Sequence, residues 1–409
     1  MLSILSSKKS PRFEYVCHVI FKRILGLDFF ITDDDEVYRK HQEFRLRYEA
    51  KSPILFEDDI HPQDEKLLLE DKPALAFYLL SNYEEYLPDC PRDEHNRIAH
   101  GQSFVVRHQM DQKPVVHLIA AHYKAMLSKQ LPDYKWIERT YRFIPTFDID
   151  IAYAYKGKNL LHFMGALGQA LMKGEFLRAG NILQARFNNA FSDPYDTYLL
   201  PKKLCKKNGL KPIYFILTSK RSQHNRNITP STRDFQNLVH QLQAYATIGI
   251  HPSYQKKHQE NIKKEIDILR SIIRQTVSCS RQHFLRYDLP DTFLQLIKAD
   301  ITDDYTMGFT DRIGFRNGMA LPFPFFNLST NLATQLTLHP LHMMDCALLS
   351  KNLNETEYLA QVKSLVSAVK EVNGELVANW HNTLMMEHSH ERSLFEKTFE
   401  LMSDSHGVK

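Results

Sequence analysis

From residue 141 onward, short apolar runs alternate with longer amphipathic stretches. The amphipathic stretches, which include residues 261–276 and 355–372, repeat apolar residues at helical spacing. The apolar runs predict β-strands at residues 142–147, 212–217, 246–251, 279–285 and 375–380. Because strands that alternate with helices are typical of parallel sheets and barrels, this part of the chain predicts an α/β fold.

The first part of the chain lacks this alternation of apolar runs and amphipathic stretches. Residues 16–20 and 27–31 suggest strands, and residues 73–86 have the pattern of an amphipathic helix. A chain of 409 residues exceeds what one core usually supports. We therefore predict a smaller α+β domain at residues 1–138, an α/β domain at residues 139–395 and a polar tail at residues 396–409.

Residues 159–189 form an apolar and basic helical insertion between the first two strands of the larger domain. Leu160, Met164, Leu167 and Leu171 recur at helical spacing, which marks core more often than membrane. Contact between this segment and a membrane surface is the less favoured alternative. No apolar run reaches the ~18 residues that span a bilayer.

Composition narrows the class of protein further. Hydrophobic residues make up 43% of the chain and charged residues 24%, as in a folded soluble protein. The formal net charge is only +4, with Lys and Arg scattered among Asp and Glu, so no nucleic-acid partner is expected. Five dispersed cysteines and an N-terminus without an apolar signal segment favour a reducing, cytoplasmic location.

The candidate catalytic and metal-binding residues lie at or near the ends of predicted strands. Asp148 and Asp150 end the first long strand in the motif T-F-D-I-D. Residues i and i+2 of a strand share a face, so the two carboxylates are expected side by side. Like charges held this close suggest a cation, with one carboxylate as a ligand and the other as a base. His251, His283 and His381 also fall at or near such ends, where parallel folds place working residues.

These motifs, in their order along the chain, resemble the polysaccharide deacetylases of the NodB-homology type. The matching segments are T-F-D-I-D at 146–150, H-P-S-Y at 251–254, R-Q-H-F at 281–284, D-Y at 304–305 and W-H-N at 380–382. The segments D-P-Y-D-T-Y at 193–198, S-R-Q-H-F-L at 280–285 and D-R-I-G-F-R-N-G at 311–318 resemble a Bacteroidetes-type subgroup. That subgroup accompanies surface-polysaccharide biosynthesis and carries its own N-terminal domain. The resemblance covers residues 141–385, and a weaker resemblance is present at residues 83–103.

The resemblance implies a distorted (β/α) barrel and a metal-dependent hydrolase that removes acetyl groups from N-acetylated or O-acetylated sugars. It implies that Asp148 is the general base and Asp150 a metal ligand. It further implies that Arg281 orients the catalytic carboxylate, that Asp304 supports this arginine, and that His381 is the general acid. A backbone N–H, such as that of Tyr254, would help to stabilise the oxyanion.

The metal, most simply zinc, would be held by Asp150, His251 and a third ligand. The family pattern places a second histidine four residues after the first, where this chain has Gln255. His283 lies near the end of a neighbouring predicted strand, and we hypothesise that it replaces the missing ligand. Two alternatives stay open: a catalytically degenerate protein that binds sugar or a partner, and an unrelated metallohydrolase such as a cell-wall amidase.

Overall fold

The computed structural model describes residues 1–41, 43–158, 160–188, 190–254 and 262–404. The chain begins with a three-stranded parallel sheet in which β1 (Leu2–Leu5) lies between β2 (Phe29–Thr32) and β3 (Phe44–Arg47). Leu2, Ile4 and Phe44 are fully buried, so this sheet packs against the helices that surround it. The helices in this part of the chain are α1 (Pro11–Cys17), α2 (Asp35–Lys40), α3 (Glu65–Glu70), α4 (Lys72–Leu80), α5 (Phe104–Arg107) and α6 (Val115–Ser128).

The strand predicted at residues 16–20 is wrong, because this segment is helical. Ser10 caps α1 by accepting a hydrogen bond from the Phe13 amide, and Pro11 occupies the first turn. The helix continues as a π-helix over His18–Ile24. The β-branched residues here are spaced as one buried helical face, and that spacing outweighs their preference for strands.

A nine-stranded sheet organises the rest of the described chain, in the order β11-β12-β4-β5-β6-β7-β8-β10-β9. Neighbouring strands run parallel, except that β9 is antiparallel to β10. The predicted α/β class with a parallel sheet is therefore confirmed. The strands are β4 (Arg142–Ile149), β5 (Ile213–Ile216), β6 (Thr247–Ile250), β7 (Cys279–Ser280), β8 (Asp303–Asp304), β9 (Phe323–Asn327), β10 (Leu332–Leu338), β11 (Met343–Met344) and β12 (Glu375–His381).

The strand predicted at 279–285 is shorter than expected. It ends at Ser280, and Phe284 and Leu285 both adopt positive φ angles within a short 3-10 turn. The chain bends here so that the segment after β7 turns toward the end of the sheet. The backbone of β6 approaches β5 closely at Gly249, where an added Cβ would lie 2.7 Å from the Phe215 ring.

Helices connect and cover these strands. The stretches predicted at 261–276 and 355–372 correspond to α11 and α14, although residue 261 lies outside the described residues. The helices are α7 (Leu160–Met172), α8 (Phe176–Phe187), α9 (Leu199–Lys207), α10 (Arg233–Gln243), α11 (Ile262–Ile273), α12 (Asp291–Lys298), α13 (Asp345–Leu349), α14 (Glu355–Glu371) and α15 (His390–Ser403). No helix in the described part of the chain is both long and apolar enough to cross a bilayer.

Two sequence expectations about helical segments differ from the structure. The polar tail predicted from residue 396 is helical as far as Ser403, and Phe399 and Met402 are fully buried in the main core. Residues 405–409 lie outside the described residues. In α7 the residues predicted as core are mostly exposed, with Met164 57% and Leu171 51% accessible.

A buried ion pair joins the two predicted domains. Arg316 is buried and donates to the buried Glu85 carboxylate. The Tyr287 hydroxyl donates to the same carboxylate over 2.8 Å. Removing one partner of such a pair leaves an uncompensated buried charge, so this contact ties residues 83–86 firmly to the larger sheet.

Candidate metal centre

Asp148 and Asp150 lie at the carboxyl end of β4, in the middle of the large sheet. Asp148 is the last but one residue of β4, pairs with His381 of β12 in the strand register, and is buried. On the other side of β4, β5 leads to β6, and His251 directly follows the end of β6. Because parallel strands end at one edge of a sheet, these side chains converge there.

Three of the predicted residues come together around a single carboxylate oxygen. Asp150 Oδ1 lies 3.1 Å from His251 Nε2 and 3.5 Å from His283 Nε2. The three potential ligand atoms all lie within 4.8 Å of one another. For ligands about 2.1 Å from a zinc ion in a tetrahedral site, neighbouring atoms are about 3.4 Å apart, so the observed spacing suits such an ion.

The hydrogen bonds on the far side of each imidazole fix which nitrogen carries the proton. His251 Nδ1 lies 2.5 Å from the Arg281 carbonyl oxygen, which can only accept. His283 Nδ1 lies 3.1 Å from Asn225 Oδ1, and the same oxygen accepts from the Tyr254 amide. Both neutral imidazoles therefore carry their proton on Nδ1 and direct the Nε2 lone pair toward Asp150.

A positive charge between Asp150, His251 and His283 would stabilise this arrangement. Two nitrogen lone pairs facing a carboxylate oxygen repel it unless a cation or additional protons lie between them. Asp150 Oδ1 is buried and has no hydrogen-bond partner within the described residues. Burial alone would raise the pKa of Asp150, but positively charged imidazoles at His283 and His251 would hold this pKa well below its ordinary value, so positive charge at this position keeps the carboxylate ionised. A divalent cation with N and O ligands satisfies all three atoms.

Asp148 is held by a separate network that includes Arg281. The Arg281 guanidinium is fully buried, stacks over the Phe215 ring and donates through Nη1 to Asp148 Oδ1 over 3.0 Å. The second carboxylate oxygen, Oδ2, accepts from Asn379 Nδ2 over 2.8 Å. Both oxygens are thereby oriented, with Oδ2 3.8 Å from His251 Nε2. Asp148 consequently lies beside the candidate ion position without competing for it.

Asp304 lies close to Arg281 but does not bind it directly. Its carboxylate accepts hydrogen bonds from the Ser280 hydroxyl over 2.7 Å and from the Thr306 amide and hydroxyl over 2.9 Å. Within the described residues no ion pair joins Asp304 to the guanidinium, whose Nε donates to the Tyr305 carbonyl. Thr306 Oγ1 accepts from the Gln282 amide, so the two residues that flank Arg281 are both anchored through Asp304.

His381 faces the site from β12, and sequence reasoning missed its partner, Asp345. Asp345 accepts from His381 Nδ1 over 2.8 Å and from its backbone amide over 2.7 Å. Burial lowers the pKa of His381, but the Asp345 carboxylate and then Cys346 outweigh this and hold it well above its ordinary value. His381 Nε2 lies 3.8 Å from Asp150 Oδ2. Asp345 follows the two-residue strand β11, which is too short to show a periodic pattern.

A cavity of about 470 Å³ opens over these residues, within the usual range for small-molecule sites. Its wall includes His95 and Arg97, which belong to the first predicted domain. Arg97 donates to the Phe284 carbonyl over 2.7 Å and pairs with Asp93, and His95 Nδ1 lies 3.2 Å from the Tyr254 hydroxyl. The weaker resemblance at residues 83–103 was the only indication in the sequence that His95 and Arg97 contribute to the cavity wall.

Residues 2–73 and 54–132 match the model of a family described as a family of unknown function, DUF7033. A search of the curated proteins found no match. Among solved structures, a polysaccharide deacetylase from Mycobacterium smegmatis is 10% identical with a TM-score of 0.40, over 66% of this chain and 86% of that chain.

Two further solved structures have similar values. One is described as a polysaccharide deacetylase involved in O-antigen biosynthesis from Bordetella bronchiseptica, 12% identical with a TM-score of 0.33, over 66% of this chain and 85% of that chain. The other is a polysaccharide deacetylase from Bacillus cereus, 11% identical with a TM-score of 0.29, over 66% of this chain and 87% of that chain. At these identities and TM-scores, function has to be inferred from the side chains of the site itself.

Two details of the expected site change. The Tyr254 amide, expected to help stabilise an oxyanion, donates to Asn225 Oδ1 over 3.0 Å and is therefore already in use. Gln255, which occupies the position of the family's second histidine, lies outside the described residues. Asn225 was not predicted to belong to the site, because it follows β5 in a loop with no motif of its own.

Replacing Asn225 by alanine should weaken zinc binding by roughly 10–100-fold, the usual effect of losing a residue that orients a metal ligand. Asn225 is buried and fixes both the tautomer and the direction of His283. Isothermal titration with zinc measures the change, with Asn208→Ala as the matched control. Asn208 donates to the Leu204 carbonyl at the end of α9 and does not line the cavity. Equal affinities in the two variants would contradict this role.

Proposed function

We propose that this protein is a metal-dependent deacetylase that removes acetyl groups from N-acetylated or O-acetylated sugars during surface-polysaccharide biosynthesis. One observation carries the proposal: two imidazole lone pairs and a carboxylate oxygen converge beside a second, independently held carboxylate. This is the donor set of a hydrolytic metal site with a neighbouring base. The order of the motifs along the chain, from T-F-D-I-D to W-H-N, selects acetylated sugars among the possible substrates.

Asp150, His251 and His283 would hold the ion, which is most simply zinc. When bound, such an ion makes water a stronger nucleophile and polarises the acetyl carbonyl. Asp148 then accepts the proton of the attacking water. Its two oxygens are already oriented by Arg281 and Asn379, so little reorganisation is needed at the moment of reaction.

His381 would act as the general acid. Its Nδ1 is bound to Asp345 and its side chain lines the cavity, which supports a role in protonating the leaving group. The raised pKa of His381 favours its protonated form, as the donor of a proton to a departing sugar amine requires. Arg281 and Asp304 are positioning residues in this scheme: Arg281 holds Asp148, and Asp304 anchors the backbone on both sides of Arg281.

The same proposal includes the architecture and the domains. We infer that residues 139–395 form a distorted (β/α) barrel of the NodB-homology type and that residues 1–138 form a separate N-terminal domain. The contribution of His95 and Arg97 to the cavity wall supports a role for this domain in shaping the sugar site. The substrate would then be recognised by both domains, with the reaction confined to the larger one.

A second candidate function is a degenerate deacetylase that binds carbohydrate or a partner protein without turnover. Gln255 favours it, because an incomplete ligand set lowers metal affinity. It requires that His283 fail as the third ligand. The two candidates therefore differ in whether the protein holds a stoichiometric ion.

Acetate release from a panel of N-acetylated and O-acetylated sugars tests the proposal. The purified protein should release acetate, lose this activity when a chelator removes the ion, and recover it when zinc is restored. Sugar binding without zinc and without acetate release would favour the degenerate protein. Turnover of acylated peptides with none of acetylated sugars would favour an amidase and would contradict the proposed substrate class.

A further inference from the structure

The hairpin formed by α7 and α8 has a surface unlike the rest of the described chain. Among the residues that the structure describes, eighteen large hydrophobic side chains are exposed, and eight of them lie within this hairpin. Exposed apolar side chains scattered singly are normal, but a concentration of this kind marks a contact surface. The hairpin follows β4 and begins shortly after Asp150, at the end of the sheet that carries the candidate metal centre.

Each helix of the hairpin has two apolar faces. The inner faces pack together as a small core of Phe163, Ala170, Ala179 and Ile182, which is separate from the main core. The outer faces carry a second stripe, made by Leu160, Met164 and Leu171 on α7 and by Phe176, Leu183 and Phe187 on α8. These residues recur at intervals of four, seven or eleven, so each set lies along one side of its helix.

The tip of the hairpin is its most exposed apolar part. Gly174, with φ +69°, allows the tight turn between the helices. Around that turn Met172 is 85% exposed, Phe176 74% and Leu177 82%. Large side chains this accessible gain most from burial in an apolar medium.

The hairpin is also cationic. Residues 156–188 contain five basic side chains and one acidic one, a net charge of +4 that equals the formal charge of the whole chain. The acidic one, Glu175, is paired with Arg178 over 2.6 Å. Four basic side chains and one carboxylate, Asp234, line a cavity of about 280 Å³ at the base of the hairpin; the basic ones are Lys156, Lys158, Arg178 and Arg186. Positive charge is therefore concentrated beside the exposed apolar stripe.

We propose that this hairpin docks the protein on the surface of a bilayer that contains anionic lipids. The tip would enter the headgroup region while the basic side chains contact lipid phosphates. Helices of 13 and 12 residues are each roughly 20 Å long, too short to span a bilayer but sufficient to lie in its interface. The excess positive charge distinguishes an anionic bilayer from an uncharged protein groove. Docking would place the candidate metal centre next to the membrane.

Flotation of the full-length protein with lipid vesicles tests this proposal. The protein should float with vesicles of phosphatidylcholine and phosphatidylglycerol, and less with phosphatidylcholine alone. Added salt should weaken the binding, because charges are screened over about 10 Å at 0.1 M ionic strength. The triple change Met172→Ser, Phe176→Ser and Leu177→Ser should reduce partition to anionic vesicles roughly tenfold or more. Lys173→Glu at the tip should reduce it roughly fivefold or more.

The matched control is the triple change Leu69→Ser, Leu118→Ser and Met126→Ser, which removes three exposed apolar side chains outside the hairpin. It should leave flotation unchanged. The proposal is overturned if the wild-type protein fails to float with anionic vesicles, or if the tip variants float as well as the wild type. Self-association that the tip changes abolish, without vesicle binding, would overturn it in favour of a second copy as the occupant. The metal content of the variants should not change, which separates this proposal from the proposed function.

Discussion

Asp148→Asn is expected to lower acetate release by about 10³-fold, within the range of 10²–10⁴ typical of a general base, while zinc binding is retained. Asp148 accepts hydrogen bonds from Arg281 and Asn379 on its two oxygens, and it is not among the three atoms that converge on the candidate ion. An asparagine has nearly the same shape but cannot accept the proton. Single-turnover assays at saturating zinc measure the loss.

In the Asp148→Asn variant the side-chain NH₂ group must face either Arg281 or Asn379. Both of these residues donate hydrogen bonds at this position, so the mismatch costs about 1–3 kcal/mol of folding stability. The assay therefore needs a parallel measurement of folding by denaturant unfolding. Asp303→Asn is the matched control, because Asp303 pairs with His339 and does not line the cavity. A folded, zinc-loaded Asp148→Asn protein with undiminished acetate release would exclude Asp148 from the reaction.

Arg281→Met should destabilise the protein by about 3–5 kcal/mol, the usual cost of leaving a buried charge without its partner. Arg281 is fully buried and donates to Asp148, Asn379, Thr146 and the Tyr305 carbonyl. Methionine fills part of the volume but leaves Asp148 without its positive neighbour. Lysine keeps a charge but presents one ammonium in place of a planar fork, so Arg281→Lys should restore only part of the stability.

A double-mutant cycle separates the ion pair from simple packing. Adding Asp148→Asn to Arg281→Met removes the unpaired charge and should recover part of the lost free energy of unfolding. Arg142→Met serves as the control: Arg142 pairs with Glu375 at the exposed start of β4, where an ion pair contributes about 0–1 kcal/mol. Additive losses in the cycle would show that Arg281 and Asp148 do not depend on each other as the structure indicates.

The sequence alone could predict the parts of the site that follow long strands. Asp148 is the last but one residue of β4, Asp150 directly follows that strand, and His251 follows an apolar run that β6 confirms. In these segments the local pattern and the tertiary structure agree, because a central parallel strand buried on both faces reads as a continuous apolar run. The parallel sheet then brings residues together whose separation in sequence is large.

Residues held only by tertiary contacts could not be predicted in this way. Asp345 follows a strand of two residues, and Asn225 lies in a loop, so neither has a periodic pattern around it. His95 and Arg97 reach the cavity from the other predicted domain, through contacts with Tyr254 and Phe284. Tertiary contacts also explain why residues 16–20 are helical and do not form the expected strand. β-branched residues are compatible with a buried helical face, so the local sequence does not decide between the two structures.

Crystals grown with zinc and measured at the zinc absorption edge test the central claim most directly. We predict one strong anomalous peak bonded to Asp150, His251 Nε2 and His283 Nε2, at about 2.0–2.2 Å from each. The same peak should be absent from crystals of Asp150→Ala. Asp345, Cys346 and His381 also bring three possible ligand atoms within 4.8 Å of one another. A peak held by these residues instead, or no peak at full zinc occupancy in solution, would contradict the assignment.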